Sequence, residues 1–169
     1  MAHLEHARKQ PACDRSDRTS LRPTAAFLPK ITWKNGKPWK EANHWAEDQA
    51  SSEGASIRTI EHRMVALCQY ANWLEQEDLH WMQFPENNAE WALVQYERSL
   101  LNKVARGEYH KATAFAKFRA VLGFYAYHAC RSPKKSQWLL ELIQANVRLK
   151  FQKAPTSSVI VRCRVKRDG

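Results

Sequence analysis

Apolar residues recur every three or four positions in several separate stretches, a spacing that places them on one face of an α-helix. The longest early stretch runs over residues 56–78, with Ser56 or Thr59 as its capping residue. Its apolar stripe consists of Ile57, Ile60, Met64, Leu67, Ala71 and Leu74. A shorter helix is predicted before it, over residues 41–49. The first half of the chain is therefore predicted to contain two helices.

The same spacing returns twice after the break at HWMQFPENN. One helix is predicted from a cap at Asn87 or Asn88 to the residue before Gly107, and the next covers residues 111–131. The apolar stripe of the latter is Ala114, Phe115, Phe118, Val121, Leu122, Tyr125 and Ala129. Thr113 and Lys117 fall on an adjoining face, so this helix is predicted to carry both a core face and a basic stripe. A further helix is predicted over residues 136–151.

Helices joined by short polar links predict an all-α fold, a compact four- to five-helix bundle. Asn35-Gly36 between apolar residues is the signal for a tight hairpin turn, although Pro38 weakens the second strand. Four segments are predicted in chain order: a flexible N-terminal arm (1–28), a hairpin and short-helix lead-in (29–55), the helical domain (56–150) and a basic C-terminal tail (151–169).

Charge is distributed unevenly along the chain. Residues 1–108 hold 14 Lys or Arg against 15 Asp or Glu, a net charge of −1, whereas residues 109–169 hold 13 against 2, a net charge of +11. A one-sided positive field suits a polyanion, most simply nucleic acid, and would also suit an acidic membrane or an acidic protein. No run of 18 apolar residues predicts a membrane span, and no apolar segment near the start predicts a secretory signal. We therefore expect a cytoplasmic protein with no membrane partner.

The chain carries no motif for catalysis or cofactor binding. Its five Gly residues form no phosphate-cradling loop, and its seven His residues lie apart without the spacing of metal ligands. The four cysteines are also far apart and are predicted to be reduced, buried thiols; they are Cys13, Cys68, Cys130 and Cys163. We therefore predict a protein that is not an enzyme and has no metal, no cofactor and no small-molecule substrate.

Basic and hydroxyl side chains gather near the starts of two predicted helices. Lys and Arg neutralise phosphates, and polar groups at a helix N-terminus fix the position of a phosphate on the protein. The candidate DNA-binding residues are Arg58, Thr59 and Arg63 on the helix over residues 56–78, Lys111, Thr113, Lys117 and Arg119 on the helix over residues 111–131, and Lys134 and Lys135 after that helix. Their clustering predicts contact with nucleic acid.

Several of these pieces occur in an order typical of one known family. S-x-x-T at residues 56–59 is followed by YANWLEQ, by the F-P-E-N break, by YERSLL and finally by HKATAFAKFRAVLGFYAY. This order resembles the N-terminal core-binding, SAM-like domain of tyrosine site-specific recombinases, the phage integrase family. A helix carrying Thr, then Arg, then Phe-Tyr is typical of that domain, and the matching residues here are Thr113, Arg119, Phe124 and Tyr125. The resemblance covers roughly residues 36–145.

The resemblance implies a four- or five-helix domain that closes over duplex DNA opposite a catalytic domain. It also implies double-stranded DNA and other recombinase protomers as partners, and a bacterial, phage or mobile-element origin. His128 and Arg131 spell the H-x-x-R box of the family's catalytic domain, but they end the third long helix and no Tyr follows Tyr127. We therefore expect a non-catalytic domain for DNA integration or recombination, with residues 151–169 as a truncated linker towards a missing catalytic domain.

A second hypothesis is a helical protein-interaction or oligomerisation module that does not bind DNA. In this hypothesis four aromatic residues form an exposed apolar patch for a partner or a second copy, namely Trp73, Trp81, Trp91 and Phe124. The two hypotheses differ in salt dependence, because association through an apolar patch does not weaken as salt rises.

Overall fold

The computed structural model describes residues 1–5, 28–51, 55–85 and 87–131, which are mostly helical. In chain order the elements are β1 (His3–Glu5), β2 (Lys30–Thr32), α1 (Lys40–Ser51), α2 (Ile57–Gln76), a 3-10 turn (Asn88–Glu90), α3 (Ala92–Ala105) and α4 (Lys111–Arg131). The chain divides into two compact units, Met1–Val121 and Leu122–Gly169. The helix predicted over 136–151, the tail and most of the arm lie outside the described residues.

Helix α2 forms where its apolar stripe predicted it. Ser56 caps the helix, because its hydroxyl accepts the backbone N–H of Thr59 at 3.2 Å. The buried side includes Ile60, Met64, Leu67, Tyr70, Ala71 and Leu74. Ile57 was predicted to belong to this stripe but is 37% exposed, since it is the first residue of the helix. The helix ends two residues earlier than predicted, and Asp78 takes a left-handed φ of 52°.

Helix α1 packs against α2 and β2 through a short buried face. Its buried residues are Ala42, Trp45, Ala46 and Gln49. Asn43 connects the helix to β2, because its side-chain oxygen accepts the Ile31 N–H at 2.8 Å and its amide donates to the Ile31 carbonyl at 3.2 Å. The side chain thereby pairs both backbone groups of a strand residue, as a neighbouring strand would.

The strands differ from the sequence expectation. The predicted turn at Asn35-Gly36 forms: Gly36 has φ 78°, and the Trp33 N–H donates to the Lys37 carbonyl at 2.8 Å. The chain after the turn does not form a second strand, because it makes only a single bridge, between Thr32 and Pro38. Strand β2 pairs instead with β1, in antiparallel register with Leu4 opposite Ile31. Residues 3–5 are thus a strand rather than part of a flexible arm, and the all-α prediction misses this small sheet. Local patterns could not indicate a partner about 25 residues away.

Helix α3 begins later than predicted and ends at Ala105, one residue before the predicted end at Arg106. Asn87 does not cap it; its side chain accepts the Ala89 N–H at 3.1 Å in the 3-10 turn. Trp91 takes the N-cap position, and its indole N–H donates to the Pro85 carbonyl at 2.8 Å. At the other end Gly107 adopts φ 76°, the left-handed conformation that terminates helices.

Helix α4 has the boundaries that the sequence predicted, Lys111–Arg131. In the first unit its buried residues are Ala114, Phe118 and Val121, while Phe115, predicted for the core, is half-buried. In the second unit the buried residues are Leu122, Phe124, Tyr125, Ala126 and Ala129. There the Phe124 ring meets that of His128 edge to face, with centroids 4.6 Å apart. Neither Phe124 nor Ala126 belonged to the predicted core stripe.

Aromatic rings connect α2 to α3 in the core. The ring of Tyr96 lies 4.7 Å from that of Tyr70 and 5.2 Å from that of Trp73, centroid to centroid. Tilted pairs of this kind contribute roughly 0.5–1.5 kcal/mol each beyond the area they bury. Burial raises the pKa of the Tyr96 phenol, and Tyr109 raises it further, so the phenol remains neutral at physiological pH.

The second hypothesis predicted that four aromatic residues form an exposed apolar patch, and this prediction is wrong. The side chains of Trp73, Trp81 and Trp91 are at most 9% exposed, and Phe124 is fully buried. The large apolar residues that are exposed in the described part of the chain are Met1, Ile57, Val65 and Met82. No helix among the described residues has both the length and the apolar character needed to cross a bilayer.

Candidate nucleic-acid interface

One side of α2 carries a line of exposed residues without a carboxylate. Arg58, His62, Val65 and Gln69 follow one another at intervals of three or four positions, so they lie along the same side of the helix, and all four are exposed. At the rise of an α-helix the line is about 16 Å long. It therefore runs from the start of α2 past its middle.

Lys117 of α4 joins this line. Its ammonium group donates a hydrogen bond to the side-chain oxygen of Gln69, which directly connects α4 to the exposed side of α2. Thr113 lies one turn before Lys117 on the same face of α4 and is exposed. We call this combined area the α2–α4 surface; its residues are Arg58, His62, Val65, Gln69, Thr113 and Lys117.

A second lysine approaches the same aromatic ring as Lys117. Lys103, near the end of α3, has its ammonium nitrogen 5.5 Å from the ring centroid of Tyr109, and the Lys117 nitrogen is 5.1 Å from the same centroid. The link between α3 and α4 sets the position of this ring, because Gly107 turns the chain at φ 76° and the Glu108 N–H bonds to the Lys103 carbonyl at 2.9 Å. We call Lys103 and Lys117 the lysine pair.

The lysine pair is an electrostatically unfavourable arrangement. Burial lowers the pKa of the Lys117 ammonium, and the positive charge of Lys103 lowers it further. The nearby carboxylate of Glu108 is engaged by Arg106, whose Nε lies 3.1 Å from it. Among the described residues neither lysine forms a salt bridge. An anion placed between the two ammonium groups would reduce their repulsion.

Arg63 faces another part of the molecule. It lies about 140° around α2 from Arg58, and its guanidinium donates to the side-chain oxygen of Gln49 on α1. Gln49 is only 1% exposed. This candidate DNA-binding residue therefore connects two helices and does not lie on the α2–α4 surface.

The remaining candidates fall into three groups. Thr59 is exposed, and its hydroxyl lies 2.9 Å from that of Ser56 within the cap of α2. Lys111 and Arg119 are exposed, but Arg119 lies about 160° around α4 from Lys117, so the predicted residues of α4 occupy two faces rather than one. Lys134 and Lys135 lie outside the described residues.

Sequence reasoning missed another lysine cluster in the lead-in. The exposed residues Lys30, Lys34, Lys37 and Lys40 surround the turn at Asn35-Gly36. They went unnoticed because the charge of the first 108 residues sums to nearly zero. The carboxylate of Glu75 lies against this turn and accepts the Lys34 N–H at 2.7 Å. The turn thus has an acidic neighbour, in contrast to the lysine pair.

Lys103, Tyr109 and Gln69 were also missed, for a different reason. Each is an ordinary surface residue in the sequence, and Gln69 is 48 positions from Lys117. The packing of α2, α3 and α4 brings them together. The one available signal was Tyr109, an aromatic residue in a polar link between two helices with basic residues.

The described residues contain no metal-binding cluster, and the cysteine described among them is buried. They contain no group of three or more His, Cys, Asp or Glu side chains that could hold a metal ion. Cys68 is a free thiol in the core, where burial and the charge of Glu75 raise its pKa, and its Sγ lies 3.7 Å from the Ala2 carbonyl. The chain matches no protein-family model, no curated protein and no solved structure.

Proposed function

We propose that this chain is a DNA-binding module that contacts the phosphate backbone of duplex DNA through the α2–α4 surface. The observation that supports this most directly is the hydrogen bond from Lys117 to Gln69, because it joins candidate residues of two helices into one surface. That surface contains an arginine, a lysine and a threonine and no carboxylate. Cationic side chains that neutralise phosphates release counterions, which favours binding.

The charge of the whole chain supports the same function. Residues 109–169 have a net charge of +11, and α4 contains no Asp or Glu. A positive field of this kind raises the rate of encounter with DNA and holds the protein there without sequence preference. The α2–α4 surface then sets the orientation in which the protein rests on the duplex.

The resemblance of residues 36–145 to a core-binding domain supports a more specific role. In that role the module is the non-catalytic part of a tyrosine-recombinase-like protein that acts in DNA integration or recombination, with other protomers as partners. Four residues of α4 match the family's typical helix, namely Thr113, Arg119, Phe124 and Tyr125. Thr113 belongs to the α2–α4 surface, whereas Arg119 is exposed about 160° around α4 from Lys117.

The test is fluorescence anisotropy with a labelled duplex at salt concentrations from about 50 to about 200 mM. We expect binding that weakens steeply with salt; Arg58→Gln should lower the salt slope by about 0.9, and Lys117→Gln should weaken binding. Arg98→Gln is the matched control, because Arg98 is exposed and lies about 140° around α3 from Lys103. Failure of the unaltered protein to bind duplex at low salt would overturn the proposal.

A further inference from the structure

We propose that Lys103, Lys117 and Tyr109 form a binding site for a single backbone phosphate of duplex DNA, which both ammonium groups contact together. This inference rests on the proposed function and deepens it. It adds Lys103 and Tyr109, neither of which is on the α2–α4 surface, and it states that two lysines from two helices share one phosphate.

The site is held in place before any ligand arrives. Both ammonium groups lie within 5.5 Å of one ring centroid, both side chains are half-buried, and Lys117 is also bonded to Gln69. Long flexible side chains lose rotamer freedom when they bind, and here the ring and the amide already restrict them. Binding therefore requires less ordering than it would for two mobile surface lysines.

The ring alone does not compensate the two charges. A cation–π contact is weaker than a hydrogen bond between an ammonium group and an anion. Among the described residues no carboxylate pairs with either lysine, since Glu108 bonds to Arg106. Tyr109 therefore positions the lysines, and a phosphate is the group that neutralises them.

The lowered pKa of Lys117 agrees with an anion site. Burial and the charge of Lys103 disfavour the protonated form, and no Asp or Glu counteracts them. The single negative charge of a backbone phosphodiester, placed near both ammonium groups, opposes this effect and raises the pKa again. Two like charges near one ring without a carboxylate are expected for an anion-binding site rather than for a structural ion pair.

The test compares the salt slopes of DNA binding in single and double variants. If both lysines contact one phosphate, the double variant Lys103→Gln/Lys117→Gln loses one phosphate contact, and its slope falls by about 0.9. If each lysine contacts its own phosphate, the slope falls by about 1.8, and sharing is disproved. Lys103→Arg keeps the charge and is expected to bind as the unaltered protein does.

Two controls separate this inference from the proposed function. If the unaltered protein binds duplex and Arg58→Gln lowers the slope, but Lys103→Gln changes neither the slope nor the affinity, the phosphate site is wrong and the function stands. If Lys103→Gln lowers the slope only with single-stranded DNA of equal length, the assignment to duplex is wrong. Tyr109→Leu removes the ring and is expected to weaken duplex binding, whereas Tyr109→Phe keeps the ring and is expected to preserve it.

Discussion

At the scale of single residues, polar side chains in the helices have two different roles. Asn43 and Arg63 connect elements through hydrogen bonds, with Asn43 reaching Ile31 and Arg63 reaching Gln49. Lys117 bonds to an amide rather than a carboxylate and approaches the same aromatic ring as another lysine. Replacing Asn43 or Arg63 is expected to destabilise the fold, whereas replacing Lys117 is expected to impair binding.

Arg63→Met is expected to lower the free energy of unfolding by about 1–3 kcal/mol, because the buried oxygen of Gln49 loses its charged donor. Urea unfolding followed by circular dichroism measures this change. Arg58→Met is the matched control on the same helix, and as an exposed residue it should change stability by less than about 0.5 kcal/mol. Equal stability of the two variants would contradict the structural role of Arg63.

Lys117→Met is expected to leave the free protein as stable as before, or more stable, at neutral pH. The folded state lowers the pKa of Lys117 below its ordinary value of 10.5, so between the two values the unfolded chain binds more protons. The stability of the unaltered protein should therefore gain from this group as pH rises towards 10.5, and the variant should lack that gain. Thermal melting across this pH range tests both statements; a large loss of stability at neutral pH would mean that the bond to Gln69 dominates.

At the scale of elements, local chemistry decided most boundaries. Ser56 begins α2 and Gly107 follows the end of α3, as capping and glycine preferences predict. The start of α3 is the exception, because Trp91 is buried and bonds to the Pro85 carbonyl, which delays the helix. A tertiary contact thus overrode the two asparagines that the sequence offered as caps.

The same substitution is expected to have opposite effects at two glycines. Gly107→Ala should lower stability by about 1–2 kcal/mol, because φ 76° is strained for any residue with a Cβ, although no atom lies within 4 Å of that position. Gly123→Ala should raise stability by about 0.5–1 kcal/mol, because Gly123 is an exposed residue inside α4. Thermal denaturation of both variants measures the difference, and effects of the same sign would contradict these conformations.

At the scale of the whole molecule, burial of the tryptophans changes the expected mode of association. Trp73, Trp81 and Trp91 pack inside, and the exposed large apolar residues of the described part are few. Apolar residues scattered over a surface do not drive association. In the proposed function, assembly with a partner depends on charge, which acts on polyanions and weakens with salt.

We therefore expect the protein alone to sediment as a monomer over a wide range of concentration. Adding duplex DNA at low salt should increase the sedimentation coefficient, and raising the salt should reverse the increase. Sedimentation velocity with both components tests this expectation. Self-association that persists at high salt would instead favour a protein-interaction module.

The sequence alone determined most helix boundaries among the described residues, because caps, glycines and apolar stripes act within a few residues. It indicated the boundaries of α4, the cap of α2 and the turn at Asn35-Gly36. The pairing of β1 with β2 and the meeting of Lys103, Tyr109 and Lys117 were decided only by the tertiary structure. These contacts join residues between 6 and about 30 positions apart through packing that no local pattern encodes. The candidate phosphate site depends on the contacts of Lys103 and Lys117 with Tyr109.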